Sequence, residues 1–325
     1  MAIPLENSIT ATLDLMVEVN THDEQHPITE INMTFYKDYD ADYFINKVGL
    51  LGSIIAKPKP IQDHLRSGYK TGKITVGKGD ITQKWLVDYA KREIVTNSYH
   101  CIESFFRLFF AHIEEPECPW IGVEQLQNFT QFKDRINKLR QRTYFKDDHD
   151  ESVATVLLGK RDMYPKLSDE EWKNNVKRTV ELVDRIASDI LSNQDYNVYK
   201  HGAALLNTKF GFSLGDGSVL KADSQDSFMY LSSQTTKASG KTIKQFSRTF
   251  KFMKWEERFA TTILTTHLIT NLLGIRKMQL GLSKSVRIRT FHTYDFHQML
   301  SSGIIPTTIS ESLFERHYSK SHRKH

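Results

Sequence analysis

Residues 81–113 read ITQKWLVDYAKREIVTNSYHCIESFFRLFFAHI and contain the longest helical pattern in the chain. Apolar and aromatic side chains recur there every three or four residues, from Trp85 to Ile113, which places them on one face of a helix. Pro116 and Pro119 follow, and neither can continue a helix. The stretch therefore predicts one long helix with a largely buried face.

Further helices are predicted on the C-terminal side of this stretch. A polar amphipathic pattern covers Gln125 to Arg142. The capping box Ser168-Asp169-Glu170-Glu171 begins a helix whose apolar stripe extends from Trp172 to Ile190. The last strong helix is expected from Trp255 to Leu273, and Gly274 is predicted to end it.

A β-rich segment separates the last two of these helices. It contains short apolar runs around Phe210 to Leu214 and Phe228 to Leu231, with an Asp216-Gly217 hairpin signal between them. A further strand is expected from Ile243 to Phe252. The predicted fold class is therefore mainly α, with a small antiparallel β insertion at about residues 206–252.

Composition shifts divide the chain into three regions. Residues 1–78 form an N-terminal mixed α/β or extended region, which ends in a stretch rich in proline and glycine. Residues 79–275 form the helical core with its β insertion, and residues 276–325 form a C-terminal extension. The extension ends in the basic tail Arg316 to His325, which we expect to be a solvated end.

Composition also excludes broad classes of protein. Hydrophobic residues make up 39% of the 325 residues, charged residues make up 26%, and the mean hydropathy is −0.46, which is unlike a disordered chain or a membrane-spanning bundle. The 44 lysine and arginine residues exceed the 39 aspartate and glutamate residues by five, a mild excess that permits a polyanionic partner.

Localisation and redox state follow from the same sequence. Two cysteines, Cys101 and Cys118, cannot form a disulfide framework. No apolar stretch reaches the roughly 20 residues that span a bilayer. The first residues lack the basic and long apolar regions of a secretory signal. We therefore expect a cytoplasmic protein that does not contact a membrane.

Asn197 and His201 are the candidate catalytic residues. They are four residues apart, so on a helix or at a helix start they project from one face and can meet the same ligand group. Imidazole exchanges a proton near neutral pH, and a neighbouring amide can orient it or hold a phosphate oxygen. This pair is suited to acid and base chemistry on a phosphodiester.

The segment Tyr196-Asn197-Val198-Tyr199-Lys200-His201-Gly202 resembles the signature of the HEPN superfamily, the helical domains of many prokaryotic toxin, anti-phage and CRISPR-associated ribonucleases. That signature is Arg, four to six residues, then His, frequently with Asn after the Arg and Gly after the His. The segment matches the Asn, the spacing, the His and the Gly, and it has Tyr196 at the Arg position. By helix order the resemblance covers about residues 80–275.

The resemblance implies a HEPN-like antiparallel helical bundle that cleaves RNA without a metal or other cofactor. In active members the His assists attack of the ribose 2′-hydroxyl on the adjacent phosphate, and the Arg steadies the developing charge. Here His201 would be the general base or acid and Asn197 its orienting partner. Lys200 and Tyr196 would contribute to binding, although a helix directs Lys200 about 100° away from His201. Such domains usually pair their motif helices across a two-fold interface, which implies a homodimer.

Glu103 is the fifth candidate site residue, as a binding residue. It lies between Ile102 and Phe105 on the largely buried face of the long helix, where an unpaired carboxylate is costly. Two roles are open: a bond to a structural partner within the fold, or a position in a pocket beside His201.

Structural alternatives exist for the other histidine patterns. His201 can instead bond a helix terminus or a core polar group. Arg107 to His112 fits Arg-x4-His inside an aromatic helix and is better interpreted as packing, whereas Arg287, Arg289, His292 and His297 form an independent candidate. The spacing of the cysteines and nearby histidines fits no metal motif, so we expect no metal.

Two functional hypotheses follow from these residues. The first is a HEPN-like protein that engages RNA or a nucleotide, as a weak or degenerate metal-independent ribonuclease in prokaryotic defence or toxin–antitoxin control. The second is a non-catalytic helical adaptor or structural protein that binds a protein partner. A DNA-binding regulator would need basic residues clustered at the start of a recognition helix, which the sequence lacks.

Overall fold

Helices account for most of the regular structure in the computed structural model of the chain. The structure describes residues 8–12, 27–191, 206–207, 211–213, 219–221, 227–238, 241–252, 255–291 and 308–318. The helices of these residues are α1 (Pro27–Asp38), α2 (Tyr43–Ala56), α3 (Pro58–Ser67), α4 (Gln83–Glu114), α5 (Pro119–Gln125), α6 (Phe129–Arg140), α7 (His149–Leu157), α8 (Asp169–Leu191) and α9 (Trp255–Gln279), with a short 3-10 helix at Arg161–Met163.

The strands pair antiparallel in four small sheets. The largest has the order β10-β8-β7-β4, and the others pair β1 with β9, β2 with β3 and β5 with β6. The strands are β1 (Ser8–Thr12), β2 (Tyr69–Thr71), β3 (Ile74–Val76), β4 (Leu206–Asn207), β5 (Gly211–Ser213), β6 (Val219–Lys221), β7 (Ser227–Ala238), β8 (Lys241–Phe252), β9 (Ser285–Arg289) and β10 (Thr308–Tyr318). The prediction of a mainly α protein with an antiparallel β insertion is confirmed.

The chain divides into two compact units, each built from three separate stretches. The first, here called the helical unit, comprises Met1–Gly49, Asn97–Ser192 and Phe259–Ser301. The second, here called the sheet unit, comprises Leu50–Thr96, Asn193–Arg258 and Ser302–His325. Each unit draws residues from all three regions that composition distinguishes, and the division at residues 78 and 275 stays a prediction.

The core of the helical unit forms around the second half of α4. A run of aromatic residues there covers more than one face of the helix. Four phenylalanines of this run are fully buried: Phe105, Phe106, Phe109 and Phe110. Phe132 of α6 meets Phe110 edge to face, with ring centroids 6.4 Å apart. Helix α8 packs against α6 and α7 through its apolar stripe. The long predicted helix at residues 81–113 is thus present as α4.

Helix boundaries depart from the predictions at two places. The helix predicted at residues 125–142 is present as α6 with shorter bounds, Phe129–Arg140, because the Asn128 side chain accepts hydrogen bonds from the Thr130 and Gln131 amides and so begins the helix there. The predicted end at Gly274 is wrong, since α9 continues to Gln279. Gly281, with φ of 69°, forms the end instead, where its amide donates to the Met278 carbonyl.

Gly274 serves the packing of α9 on β9. A Cβ atom at this position would lie 2.3 Å from Cγ2 of Val286, a distance that no side chain tolerates. Val286 belongs to a buried cluster that also includes Trp172, Ile275 and Ile288. The glycine is therefore required by a close approach rather than by a helix end.

Candidate functional site

Four of the five predicted site residues lie outside the described residues: Tyr196, Asn197, Lys200 and His201. The described chain leads towards them through α8, which ends at Leu191. The predicted capping box at the start of α8 is confirmed, because the Ser168 hydroxyl accepts from the Glu171 amide and the Glu171 carboxylate accepts from the Ser168 amide. The bond from the Ser168 amide lowers the pKa of Glu171.

Glu103 lies on α4 and holds Arg107, one helical turn further on. Nε and Nη2 of Arg107 donate to Oε1 of Glu103 at 3.0 and 2.7 Å. Nη1 of Arg107 donates to the Leu126 carbonyl, and its guanidinium carbon lies 4.7 Å from the centre of the Phe132 ring. The side chains of Glu103 and Arg107 are only 8% and 18% exposed. The structure thus gives Glu103 a structural partner, one of the two roles open to it.

A cavity of about 410 Å³ lies beside Arg107, between α1, α4 and α5. Phe35 packs between Tyr39 and Trp120, with ring centroids 5.3 and 5.8 Å away. Burial raises the pKa of Tyr39 to about 12, so its hydroxyl stays protonated at neutral pH. The lining residues are Thr34, Phe35, Asp38, Tyr39, Ser104, Arg107, Leu108, Trp120 and Val123. Aromatic walls with a few polar groups are the usual lining of small-molecule sites.

His112 is a packing residue of the helical unit. Its Nε2 atom lies 2.9 Å from the Tyr36 hydroxyl, and its Nδ1 atom lies 2.7 Å from the Leu108 carbonyl. Burial lowers the pKa of His112 to about 4, with a smaller contribution from Arg276, so the ring is neutral at pH 7. These contacts agree with the packing interpretation of the Arg107 to His112 pattern, since the two side chains have separate partners.

Arg142, His149 and Asp184 form a cluster that the sequence analysis missed. Arg142 follows α6 with φ of 59°, and its amide closes the helix end on the Leu139 carbonyl. Its guanidinium donates to Asp150 at 2.9 Å and lies 3.9 Å from Asp184. Six residues separate Arg142 from His149, which is within the four-to-six spacing of the HEPN signature. A search limited to a spacing of four passes over this pair.

His149 is the least satisfied polar side chain of that cluster. It is 7% exposed, and neither ring nitrogen has a hydrogen-bond partner among the described residues. Burial lowers its pKa and the nearby Arg142 guanidinium adds to the effect, while burial raises the pKa of Asp184. A neutral imidazole beside a carboxylate and a guanidinium has the composition of an acid–base site. Because the imidazole is only 7% exposed, a substrate has little access to it.

The independent candidate near the end of α9 is only partly described. Arg287 and Arg289 lie on β9, whereas His292 and His297 lie outside the described residues. The Asn271 side chain accepts from the Arg289 amide and donates to the Arg289 carbonyl, both at 2.9 Å. This pair of bonds ties β9 to α9, so the described part of the candidate has a structural function.

Comparisons of the chain with protein-family models, curated proteins and solved structures give no match. Within the described ranges, no group of three or more His, Cys, Asp and Glu side chains is arranged to hold a metal ion. No helix of the described chain combines the length and apolar character needed to cross a membrane.

Proposed function

We propose that the chain is a HEPN-like protein that engages RNA or a nucleotide and acts as a weak or degenerate metal-independent ribonuclease in prokaryotic defence or toxin–antitoxin control. The observation that supports the proposal is the order of two helices along the chain. The long aromatic helix α4, with its buried Glu103–Arg107 pair, precedes the capped helix α8, which ends at Leu191, shortly before the Asn197 and His201 motif. The proposal includes a cytoplasmic homodimer.

The chemistry assigned to the motif is transesterification, in which the 2′-oxygen of a ribose attacks the phosphate on its own 3′-oxygen. His201 takes the proton of the 2′-hydroxyl, the 2′-oxygen bonds to phosphorus, and the bond from phosphorus to the 5′-oxygen of the next nucleotide breaks as that oxygen receives a proton from water. Asn197 orients the imidazole or a phosphate oxygen. Tyr196 stands where the family has Arg, so the always-charged clamp on the phosphate is missing and cleavage is expected to be slow.

The test is cleavage of a mixed RNA pool in EDTA by the purified chain and its variants. Wild-type protein should leave 2′,3′-cyclic phosphate and 5′-hydroxyl ends, and His201→Ala should abolish them. His64→Ala, an exposed histidine, is the matched control and should cleave as the wild type does. Tyr196→Arg should accelerate cleavage because it restores the clamp. Equal cleavage by wild type and His201→Ala would refute the ribonuclease.

A second candidate is a non-catalytic adaptor that binds a protein partner. Exposed apolar side chains on α5 favour it, since Trp120 is 47% and Ile121 is 40% exposed. A wild-type chain that leaves the RNA pool intact in the assay above, and that does not retard RNA on a native gel, would support the adaptor over the ribonuclease.

A further inference from the structure

The two units of the chain carry opposite net charge. The sheet unit has 23 lysine and arginine residues against 12 aspartate and glutamate residues, a net charge of +11. The helical unit has 21 against 27, a net charge of −6. The overall charge of +5 therefore conceals a strongly basic unit, whose field attracts polyanions.

One face of the largest sheet of this basic unit is open from Leu231 onwards, beyond the buried Phe250 that pairs with Met229 on the same face. Along β7, Phe228 and Tyr230 are buried, whereas Leu231, Ser233 and Thr235 are exposed. Because the side chains of a strand point alternately to its two faces, the three exposed residues lie on one face, opposite to that of Phe228 and Tyr230. The open face therefore consists of the exposed β7 residues and of the β8 residues that pair with them.

The pairing register brings basic and aromatic residues of β8 onto the open face. Leu231 pairs with Arg248, Ser233 with Phe246 and Thr235 with Lys244. Arg248 is exposed, Phe246 and Lys244 are half-buried, and Nζ of Lys244 lies 5.2 Å from the centre of the Phe246 ring. Successive pairs are about 7 Å apart, so two cations flank an aromatic ring in a row.

The third strand of this sheet, β10, pairs with β8 along the same stretch. In the register of β10 with β8, Phe314 pairs with Phe246, Arg316 with Lys244 and Glu311 with Arg248. Two of the three positions thus repeat the residue type of β8, one aromatic and one cationic. The register, which has an irregularity between Ser312 and Phe314, thus places an aromatic, a basic and an acidic residue of β10 opposite the three β8 positions.

We propose that this open sheet face, centred on Lys244, Phe246 and Arg248, binds single-stranded RNA. Phosphates would contact the two cations, and an unpaired base would stack on Phe246. A flat sheet face cannot enter the deep, narrow major groove of duplex RNA, whereas splayed bases reach it freely. The exposed hydroxyls of Ser233 and Thr235 can bond ribose 2′-hydroxyls, which DNA lacks.

The inference rests on the proposed function for the choice of RNA, but its residues lie outside the 196–202 motif. Two measurements therefore separate the proposals. Cleavage with and without His201→Ala tests the ribonuclease, and binding with and without changes on the sheet tests this surface.

The experiment is a fluorescence-anisotropy titration of a labelled single-stranded RNA of about 12 nucleotides with the full chain in EDTA, with RNA integrity checked on a gel. The double variant Lys244→Gln, Arg248→Gln should weaken binding roughly tenfold and reduce the salt slope of log K by about 1.4. Phe246→Leu should weaken binding roughly fivefold while keeping an apolar side chain. Leu231→Lys should strengthen it about twofold, because it adds a cation to the same face.

The matched control is Lys173→Gln, Lys177→Gln, which removes the same charge from exposed positions on α8 in the helical unit. It should bind RNA as tightly as the wild type. The inference is overturned if the double variant Lys244→Gln, Arg248→Gln, here called the sheet variant, binds RNA as tightly as this control. It is also overturned if the wild type does not bind single-stranded RNA, or if it binds duplex RNA or single-stranded DNA of the same sequence equally well. A folding defect is excluded by equal melting of all variants, and the gain from Leu231→Lys does not depend on any loss.

Discussion

At Gly274, helix α9 comes so close to strand β9 that a side chain has no room. The Gly274→Ala variant should lower the free energy of unfolding by about 2 kcal/mol, because its Cβ would lie 2.3 Å from Cγ2 of Val286. Urea unfolding followed by circular dichroism measures this change. The control is Gly49→Ala in α2, where no atom lies within 4 Å of the new Cβ. That change should stabilise the chain by about 0.5–1 kcal/mol, and a loss as large as that of Gly274→Ala would contradict the role of the close approach.

Two buried histidines and one half-buried histidine make the stability of the helical unit sensitive to acid. Burial lowers the pKa of His112 and of His267 to about 4, and it lowers the pKa of His149. Because the unfolded chain binds these protons near pH 6.5, stability is full above that pH and falls between about 6.5 and 4. His112 and His267 should each contribute a slope of about 1.4 kcal/mol per pH unit within that window, and His149 adds to the slope in the same direction.

The measurement is denaturant unfolding at several pH values for the wild type and His267→Gln. His267 stacks near Phe291, with ring centroids 6.5 Å apart, and the variant removes one titrating group from this position. Its stability should therefore fall less steeply on acidification than that of the wild type. Parallel pH profiles would show that His267 is not protonated on unfolding.

At the scale of the element, the helices with purely local signals were the ones that could be predicted. The aromatic residues of α4 recur every three or four positions, and the Ser168 capping box joins residues three positions apart. Each signal is local, so the sequence alone is enough to predict the helix. The length of α9 could not be predicted in this way. In the sequence, Gly274 resembles a helix end. The structure shows instead that a side chain there would collide with Val286 of β9, which lies later in the chain.

The Glu103–Arg107 pair should anchor α4 to the segment that joins α5 and α6. Glu103→Leu leaves the Arg107 guanidinium buried without its carboxylate and should lower the free energy of unfolding by about 3 kcal/mol. The double variant Glu103→Leu, Arg107→Met should lose less, because it leaves no unpaired charge. A double-mutant cycle by urea unfolding measures the coupling, and additive losses would contradict this account.

At the scale of the whole molecule, the proposed homodimer is testable by mass. Analytical ultracentrifugation should give twice the 37.7 kDa of one chain, since the resemblance implies motifs paired across a two-fold axis. The sheet variant Lys244→Gln, Arg248→Gln should sediment identically, because its changes lie on a surface assigned to RNA. A single-chain mass at concentrations well above those of the cleavage assay would contradict the dimer.

Sequence reasoning identified the residue types of a candidate site but not their surroundings. Spacing and the known pKa of imidazole were sufficient to single out Asn197 and His201. They were not sufficient to find His149, because its burial beside Arg142 and Asp184 depends on how α6, α7 and α8 pack. The charge difference between the units was equally hidden, since neither unit is a continuous stretch of sequence.

The interleaved units have a consequence for the order in which the chain is made. Strand β1 pairs with β9, with Ser8 opposite Arg289, so this pairing can form only after β9 has left the ribosome. Until then the apolar faces of α4 and α8 lack part of their final surroundings, which is the condition in which nascent chains aggregate or recruit chaperones. The yield of folded protein in a cell should therefore depend on chaperone supply and translation speed as well as on the stability of the finished fold.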